Sequence, residues 1–292
     1  MKRRDFIQLS TFAMGGLSIS NISCQNVRKD LTFGLITDLH YADLEHQKNK
    51  TRFYRHSIDK LQVAIREFKK QNVDFIIELG DLKDQPQNSD KAITLGYLKE
   101  IENELQKFGG PVYHVLGNHD VDCLSKSEFL NVIKNGNTPS ASNFYSFINK
   151  GIKFIVLDAN YKADGSDYDS GNFTWDETYI PSQQLEWLKG QLSDPEQPAI
   201  IFVHQQIDSF HRKDDPHCVR NAESVRNILE ANNNVIAVFQ GHNHAGGYQY
   251  QKGIHYYTLK AMVEGPSPEN SFAIARIDQK KDLIVTNFLI ST

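Results

Sequence analysis

The 292 residues are 39% hydrophobic, enough for a sizeable core, which excludes disordered and low-complexity architectures. With 32 basic against 36 acidic side chains the net charge is −4, so no global field draws nucleic acid or an anionic membrane surface, and anion binding must be arranged locally. Three cysteines, at positions 24, 123 and 218, are too scattered for a disulfide scaffold or a Cys-based zinc module, whereas eleven histidines offer neutral imidazole to transition metals.

Residues 1–24 read as an export signal. Lys2, Arg3 and Arg4 precede a mildly apolar stretch from Phe6 to Ile19, which Gln8, Ser10, Thr11, Gly15 and Gly16 make too short and polar to span a bilayer. Arg3-Arg4-Asp5-Phe6-Ile7 resembles a twin-arginine signal, so the expected location is exported, periplasmic, or membrane-anchored facing the periplasm if Cys24 carries a lipid. From residue 31 onward, short apolar runs predict buried strands over 31–37, 73–79, 112–116, 152–157, 200–204 and 235–240. Ile58, Leu61, Ile65 and Phe68 recur at helical spacing with Arg66, Lys69 and Lys70 opposite, which predicts a β-α-β opening with a solvent-facing crossover helix. Further helices are predicted near 92–108, 182–192 and 222–231. The tail reads as strands over 254–259, 272–277 and 283–289, the last two joined by a turn at 278–281. No linker or solenoid-period repeat divides residues 25–292, so the expected architecture is a single α/β domain of two packed sheets flanked by helices.

The chemistry lies at the strand ends. Asp38-Leu39-His40 closes the first strand, Gly80-Asp81 the second and Gly117-Asn118-His119-Asp120 the third; His204 ends a later one, and Gly241-His242-Asn243-His244 follows Phe239. Open α/β sheets gather functional side chains at such ends. In extended chain, residues i and i+2 point the same way, so Asp38 with His40, and His242 with His244, are each expected to present two ligands to one point. The preceding glycines allow sharp turns. Carboxylates, imidazoles and an amide oxygen make a mixed set fitted to Mn, Fe or Zn and poor for calcium. One such cluster alone is ordinary turn chemistry; the ordered set of five is not.

Asp-x-His, Gly-Asp, Gly-Asn-His-Asp, His and Gly-His-x-His, in this order, resemble the signature of the calcineurin-like metallophosphoesterase superfamily over nearly all of the chain after the signal. The resemblance implies a four-layer sandwich of two mixed β-sheets flanked by helices, and two divalent transition-metal ions. It implies one ion held by Asp38, His40, Asp81 and His244, the other by Asp81, Asn118, His204 and His242, and a bridging hydroxide attacking phosphorus in line. His119 would contact the phosphoryl group or protonate the leaving oxygen, and Asn118 would also contact substrate. Asp120 is expected either to orient its neighbours in catalysis or to cap the following helix. A purple acid phosphatase is disfavoured, since that group has a metal-binding Tyr where this chain has Asp84.

Tyr41-Ala42-Asp43-Leu44, the segment from Arg52 through Tyr54, Arg55 and His56 to Ser57, Gly246-Gly247-Tyr248, and the tail from His255 through Leu259, Glu264 and Pro266 to Phe272 resemble the manganese-dependent ADP-ribose/CDP-alcohol diphosphatase branch. Many members of that branch carry Gln where this chain has His40. The resemblance implies a dinuclear-metal hydrolase cleaving nucleotide diphosphate derivatives; the alternatives are a cyclic-nucleotide phosphodiesterase, a phosphomonoesterase or an inactive binding protein on the same scaffold. The expected partner is a small-molecule phosphate ester, with no nucleic acid and a membrane only through lipidated Cys24. Arg52 and Arg55 are candidates for the distal phosphate and Tyr54 and His56 for substrate approach, set against a plain helix start with solvated arginines. Tyr161, Tyr168, Phe173, Trp175 and Tyr179 are expected to pack a loop rather than form a lid, and His211, His217 and Cys218 to be loop residues.

Overall fold

The computed structural model describes residues 30–46, 50–136, 138, 142–208 and 215–290, so the expected export signal, Cys24 and His211 lie outside the described residues. The chain opens β-α-β. β1 (Leu31–Ile36) and β2 (Phe75–Glu78) are parallel neighbours joined through α1 (Ser57–Lys70), and β3 (Val112–His114) lies parallel beside β2. After α2 (Lys91–Leu105) the predicted helix tightens into a 3-10 turn at Gln106–Phe108, closed by Gly109 in the left-handed region, φ 82°. β10 (Asn270–Ile277) and β11 (Leu283–Ile290) add antiparallel to β1, giving one sheet in the order β11-β10-β1-β2-β3.

The second sheet contains β4 (Tyr145–Asn149), β5 (Ile152–Val156), β6 (Ala199–Phe202), β7 (Val235–Gln240), β8 (Gly247–Gln251) and β9 (Ile254–Thr258), in the order β4-β5-β6-β7-β9-β8. β4 and β8 are its edge strands and neither was expected from the sequence. Each shows much of its length to solvent, so neither carries the unbroken apolar run of a buried strand. α3 (Lys126–Leu130) was also missed; its five residues are too few for periodicity, and only the Ser125/Glu128 capping box announces it.

α1 and α2 cover one sheet; α4 (Ser182–Gln191) and α5 (Ala222–Glu230) cover the other, so the layers run helix, sheet, sheet, helix. Phe68 of α1 packs so close to β1 that a Cβ on Gly34 would sit 2.9 Å from its ring. Between the sheets Phe33 stacks on Phe75 at 5.2 Å and meets Phe154, Phe202 and Phe239 edge-on at 5.6, 6.1 and 5.9 Å. Each buried ring contributes about 1.5–3 kcal/mol. This aromatic centre clamps the sheets so that the ends of β1, β2, β3, β6 and β7 form one rim. Loop-to-loop backbone bonds then lock the rim: Asp38 N to Gly80 O (3.0 Å), His40 N to Asp81 O (2.8 Å) and Gly241 N to His204 O (2.9 Å).

Candidate metal centre

The rim residues leave their strands by left-handed turns. Asp38, His40, Asp81 and His242 have φ of 51°, 45°, 56° and 66°, a conformation costing about 1–3 kcal/mol at a non-glycine residue. This corrects the expected geometry. The side chains are aimed by turns rather than by strand pleat, and His242 and His244 go to two adjacent clusters rather than to one point. Asp38, His40 and His244 form one cluster and Asp81, His204 and His242 another, and His119 adjoins them through two further groups, with His40 and Asp81 and with Asp84 and Asp122. His40 Nε2 lies 3.7 Å from Asp38 Oδ1, 3.5 Å from Asp81 Oδ2 and 3.2 Å from His244 Nε2. His204 Nε2 lies 3.2 Å from Asp81 Oδ2, so this carboxylate adjoins both clusters. Of the three glycines, Gly80 uses left-handed freedom, φ 100°. Gly117 and Gly241 are required by space, since a Cβ would strike Asp81 in the first case and Thr37 and Asp38 in the second.

Neighbours occupy one atom of most of these side chains and leave the other facing the centre. Thr37 Oγ1 and His242 N–H both donate to Asp38 Oδ2, at 2.7 and 3.1 Å, leaving Oδ1. His119 N–H donates to Asp81 Oδ1 at 2.8 Å, leaving Oδ2. His204 Nδ1–H donates to Leu79 O at 2.8 Å, leaving Nε2, and His244 Nδ1 pairs with Glu264 Oε1 at 2.6 Å. Asp38 Oδ1, Asn118 Oδ1, His204 Nε2 and His242 Nε2 are buried without a hydrogen-bond partner. Unpaired buried polar atoms are rare in native proteins. Here they converge as an oxygen and nitrogen donor set that fits divalent transition ions, with carboxylate and carbonyl groups orienting the imidazoles from behind.

The electrostatics agree with a set of ligands in their coordinating forms. Burial opposes ionisation of Asp38, but His40, His204 and His244 hold its carboxyl below the usual range. Burial and the charge of His204 push the His242 imidazole well below 6.5, so it is neutral with a lone pair at Nε2. Burial opposes charge on His204, yet Asp81 and Asp38 raise it to about 10. A cation between these groups takes the place of that proton.

His119 lies on the cavity wall, its Nδ1 held 3.4 Å from Asp84 Oδ1 and 3.5 Å from Asp122 Oδ2, which leaves Nε2 available. Although burial disfavours charge on His119, Asp81 and Asp84 hold its pKa well above 6.5. The other Asp84 oxygen is 3.4 Å from His40 Nδ1, so one carboxylate links a ligand histidine to the cavity histidine. Asp120 is placed as an orienting residue, the first of its two expected roles. Fully buried and off the cavity wall, it accepts from Asp81 N, Leu82 N and Gly117 N at 3.0, 3.0 and 2.9 Å, tying the second and third loops together. Burial and the charges of Glu78 and Asp81 push it up to about 8. It caps no helix, since Ser125 caps α3.

The cavity, about 360 Å³, is lined by Arg52 and His119, which both neighbour Asp84, by Asp81, Asn118 and His244, and by Trp175, His217 and His242, whose rings meet. Of the expected substrate contacts on the Arg52–His56 segment, Arg52 reaches it. Arg55 instead pairs with Asp43 and Glu45, both at 2.5 Å, on the exposed surface. His56 Nδ1 accepts from Ser267 N at 2.9 Å, and neither His56 nor Tyr54, on the same 3-10 turn, is among the cavity-lining residues. Tyr161 and Tyr168 are buried, and Tyr168 stacks on Phe173 at 4.0 Å, as a packed loop requires. Trp175 and His217 depart from expectation by lining the cavity. Glu264 and Asp84 were also not assigned these roles. Glu264 lies 20 residues beyond His244 and Asp84 reads as a turn residue, so neither spacing marks a partnership.

The profile of the calcineurin-like phosphoesterase family matches residues 31–246. The manganese-dependent ADP-ribose/CDP-alcohol diphosphatase of Oryza sativa subsp. japonica is 29% identical over 87% of this chain and 90% of its own length. Its Arabidopsis thaliana counterpart is 27% identical over 89% and 96%. A solved dimetal phosphatase from Danio rerio superposes with a TM-score of 0.75 at 25% identity, covering 89% of this chain and 98% of that one. With the five strand-end clusters gathered on one rim of a helix-sheet-sheet-helix sandwich, the chain belongs to the calcineurin-like phosphoesterase family and is a metal-dependent phosphoester hydrolase.

Proposed function

We propose that this enzyme hydrolyses the phosphoanhydride of nucleoside diphosphate derivatives such as ADP-ribose and CDP-alcohols, with manganese as its preferred ion. The observation that carries this is the match, over nearly the full length of both chains, to relatives named for that activity. The cavity supports it: Arg52 and His119 both neighbour Asp84, at 3.9 and 3.4 Å, while the rings of Trp175 and His217 pack together with centroids 5.5 Å apart. That pattern suits a molecule with phosphates at one end and a ring at the other.

Bound by Asp38, His40, Asp81 and His244 on one side and Asp81, Asn118, His204 and His242 on the other, a pair of divalent ions supplies Lewis acidity and a nucleophile generated from water. The chain's own residues do the rest. Arg52 and Asn118 orient the phosphoryl oxygens, and His119 passes a proton from Nε2 to the departing oxygen while Asp84 and Asp122 fix its ring at Nδ1. Water adds to one phosphorus and the bond from that phosphorus to the bridging oxygen breaks, so ADP-ribose gives AMP and ribose 5-phosphate.

The test is a hydrolysis panel after reconstitution with Mn, Zn or Fe, using ADP-ribose, CDP-choline, cyclic AMP and an aryl phosphate. Higher kcat/KM for the two diphosphates with Mn is the expected result. Preference for cyclic AMP or the aryl ester overturns the substrate assignment and favours a phosphodiesterase or monoesterase. Export rests on residues 1–24, and detection of the mature chain in a periplasmic fraction tests it.

A further inference from the structure

Of the large hydrophobic side chains left exposed among the described residues, Trp175, at 45%, is the one on the wall of the phosphoester cavity. Its loop is anchored on both sides. Upstream, Asp167 pairs with Lys126 at 2.6 Å, and Tyr168 stacks on Phe173 and donates its hydroxyl to Thr174 O at 3.0 Å. Downstream, Glu177 N–H donates to Thr174 O at 3.2 Å and Arg220 N–H to Thr178 O at 2.8 Å. The loop that carries the indole is therefore ordered before any ligand arrives, which lowers the ordering cost of a contact made through it.

Three rings meet here. The Trp175, His217 and His242 centroids are 5.5, 5.6 and 5.6 Å apart, and the indole is tilted by 51° and 54° to the two imidazoles, so neither covers it by stacking. His217 is fixed in turn by Asp215, Nδ1 to Oδ1 2.9 Å. A half-exposed aromatic face beside a residue that holds the phosphoryl-binding centre is the arrangement that base stacking uses.

We propose that Trp175, flanked by His217, is the platform on which the purine or pyrimidine of a nucleotide stacks while its phosphate lies against Asn118 and His242. This deepens the diphosphatase reading and rests on it for the substrate class. Trp175 then sets specificity for base-bearing phosphates and takes no part in bond cleavage.

The test reads binding, which separates it from the substrate assignment. The chain has two tryptophans. Trp187→Phe, on α4 beside Phe144, removes the other and leaves Trp175 as the fluorophore. In manganese-loaded Trp187→Phe protein, AMP is expected to quench the indole, whereas ribose 5-phosphate and inorganic phosphate are not. Trp175→Ala is expected to weaken inhibition of aryl phosphate hydrolysis by AMP about 10- to 100-fold, the range base–aromatic stacking gives, with ribose 5-phosphate inhibition unchanged. Trp175→Phe should restore most of it. Equal inhibition by AMP in wild type and Trp175→Ala, or no quenching by AMP, overturns the proposal. So does an equal loss for AMP and ribose 5-phosphate accompanied by lost manganese, which would make the indole a packing support for His242. Failure of the diphosphatase reading shows separately, as absent ADP-ribose hydrolysis by an enzyme still active on the aryl ester.

Discussion

Two buried clusters of histidine and carboxylate are built on different terms. In the first, Glu78 of β2 sits directly opposite His114 of β3, and Glu102 of α2 closes over them. The imidazole lies between the carboxylates, 3.2 Å from Glu78 and 3.3 Å from Glu102, all on regular backbone. In the second, Asp38, His40, Asp81 and His242 hang from left-handed turns, imidazole faces imidazole at 3.2 Å between His40 and His244, and ligand atoms are left over. The residue types are the same. The first cluster alternates charge on regular elements and is neutralised within the chain, although Glu102 Oε2 and His114 Nε2 lack a hydrogen-bond partner there too; the second, with imidazole facing imidazole on strained turns, is arranged for a cation from solution.

Four measurements sharpen or break that contrast. The largest effect is expected for Asp81→Asn, which removes the carboxylate adjoining both metal clusters. Loss of several kcal/mol of Lewis-acid stabilisation lowers kcat on an aryl phosphate by roughly 10³-fold or more, with manganese content falling as well. Retained activity and full metal content in that variant would break the division of ligands drawn here.

Next is His119→Ala. Loss of a positioned general acid is expected to lower kcat by about 10²- to 10⁴-fold on alkyl leaving groups and much less on p-nitrophenyl esters, whose anion leaves unaided. Equal losses on both would remove the acid role and leave only phosphoryl contact.

Glu264→Gln acts one step back. It weakens the 2.6 Å contact that orients His244, and the expected outcome is a 10- to 100-fold rise in the manganese dissociation constant by competition with a chelator. The Glu264 carboxyl is held at about 2 chiefly by His244. Unchanged affinity would show that His244 keeps its place without this partner.

The smallest effect belongs to the other cluster and is a pH dependence of stability. Burial opposes charge on His114, but Glu102 and Glu78 raise its pKa from 6.5 to about 10. Its contribution is therefore complete below about pH 6.5 and fades as pH rises through 10, because the folded chain then holds a proton that the unfolded chain has released. Thermal unfolding of the wild type should shift downward over that window, at about 2–4 °C for each kcal/mol lost, and His114→Gln should flatten the slope. An unaltered slope in the variant would reject the pairing. Hydrolysis per folded molecule should not respond, since no member of this cluster lines the cavity.

The β-α-β opening, the buried parallel strands and the five strand-end motifs were legible in the sequence because apolar runs and glycine-flanked Asp, Asn and His are local signals. β4 and β8 were not, because an edge strand half in water carries a diluted pattern. Arg55 and His56 read like Arg52, yet Arg52 alone of the three lines the cavity, Arg55 being drawn to Asp43 and Glu45 and His56 to Ser267. Trp175 and Tyr168 share one aromatic stretch, and packing alone separates the exposed ring from the buried one.

What the sequence determined by itself was the set of donor groups and their order, since ligand chemistry depends on residue type. The resemblance already implied how those groups divide and that Asp81 serves both sets; what only the tertiary structure decided was which distant residues hold them: Glu264 behind His244, Asp84 between His40 and His119, Asp120 beneath two loops. Those pairings join residues brought together by sheet packing and left-handed turns, and spacing along the chain does not encode distance across the space between two sheets.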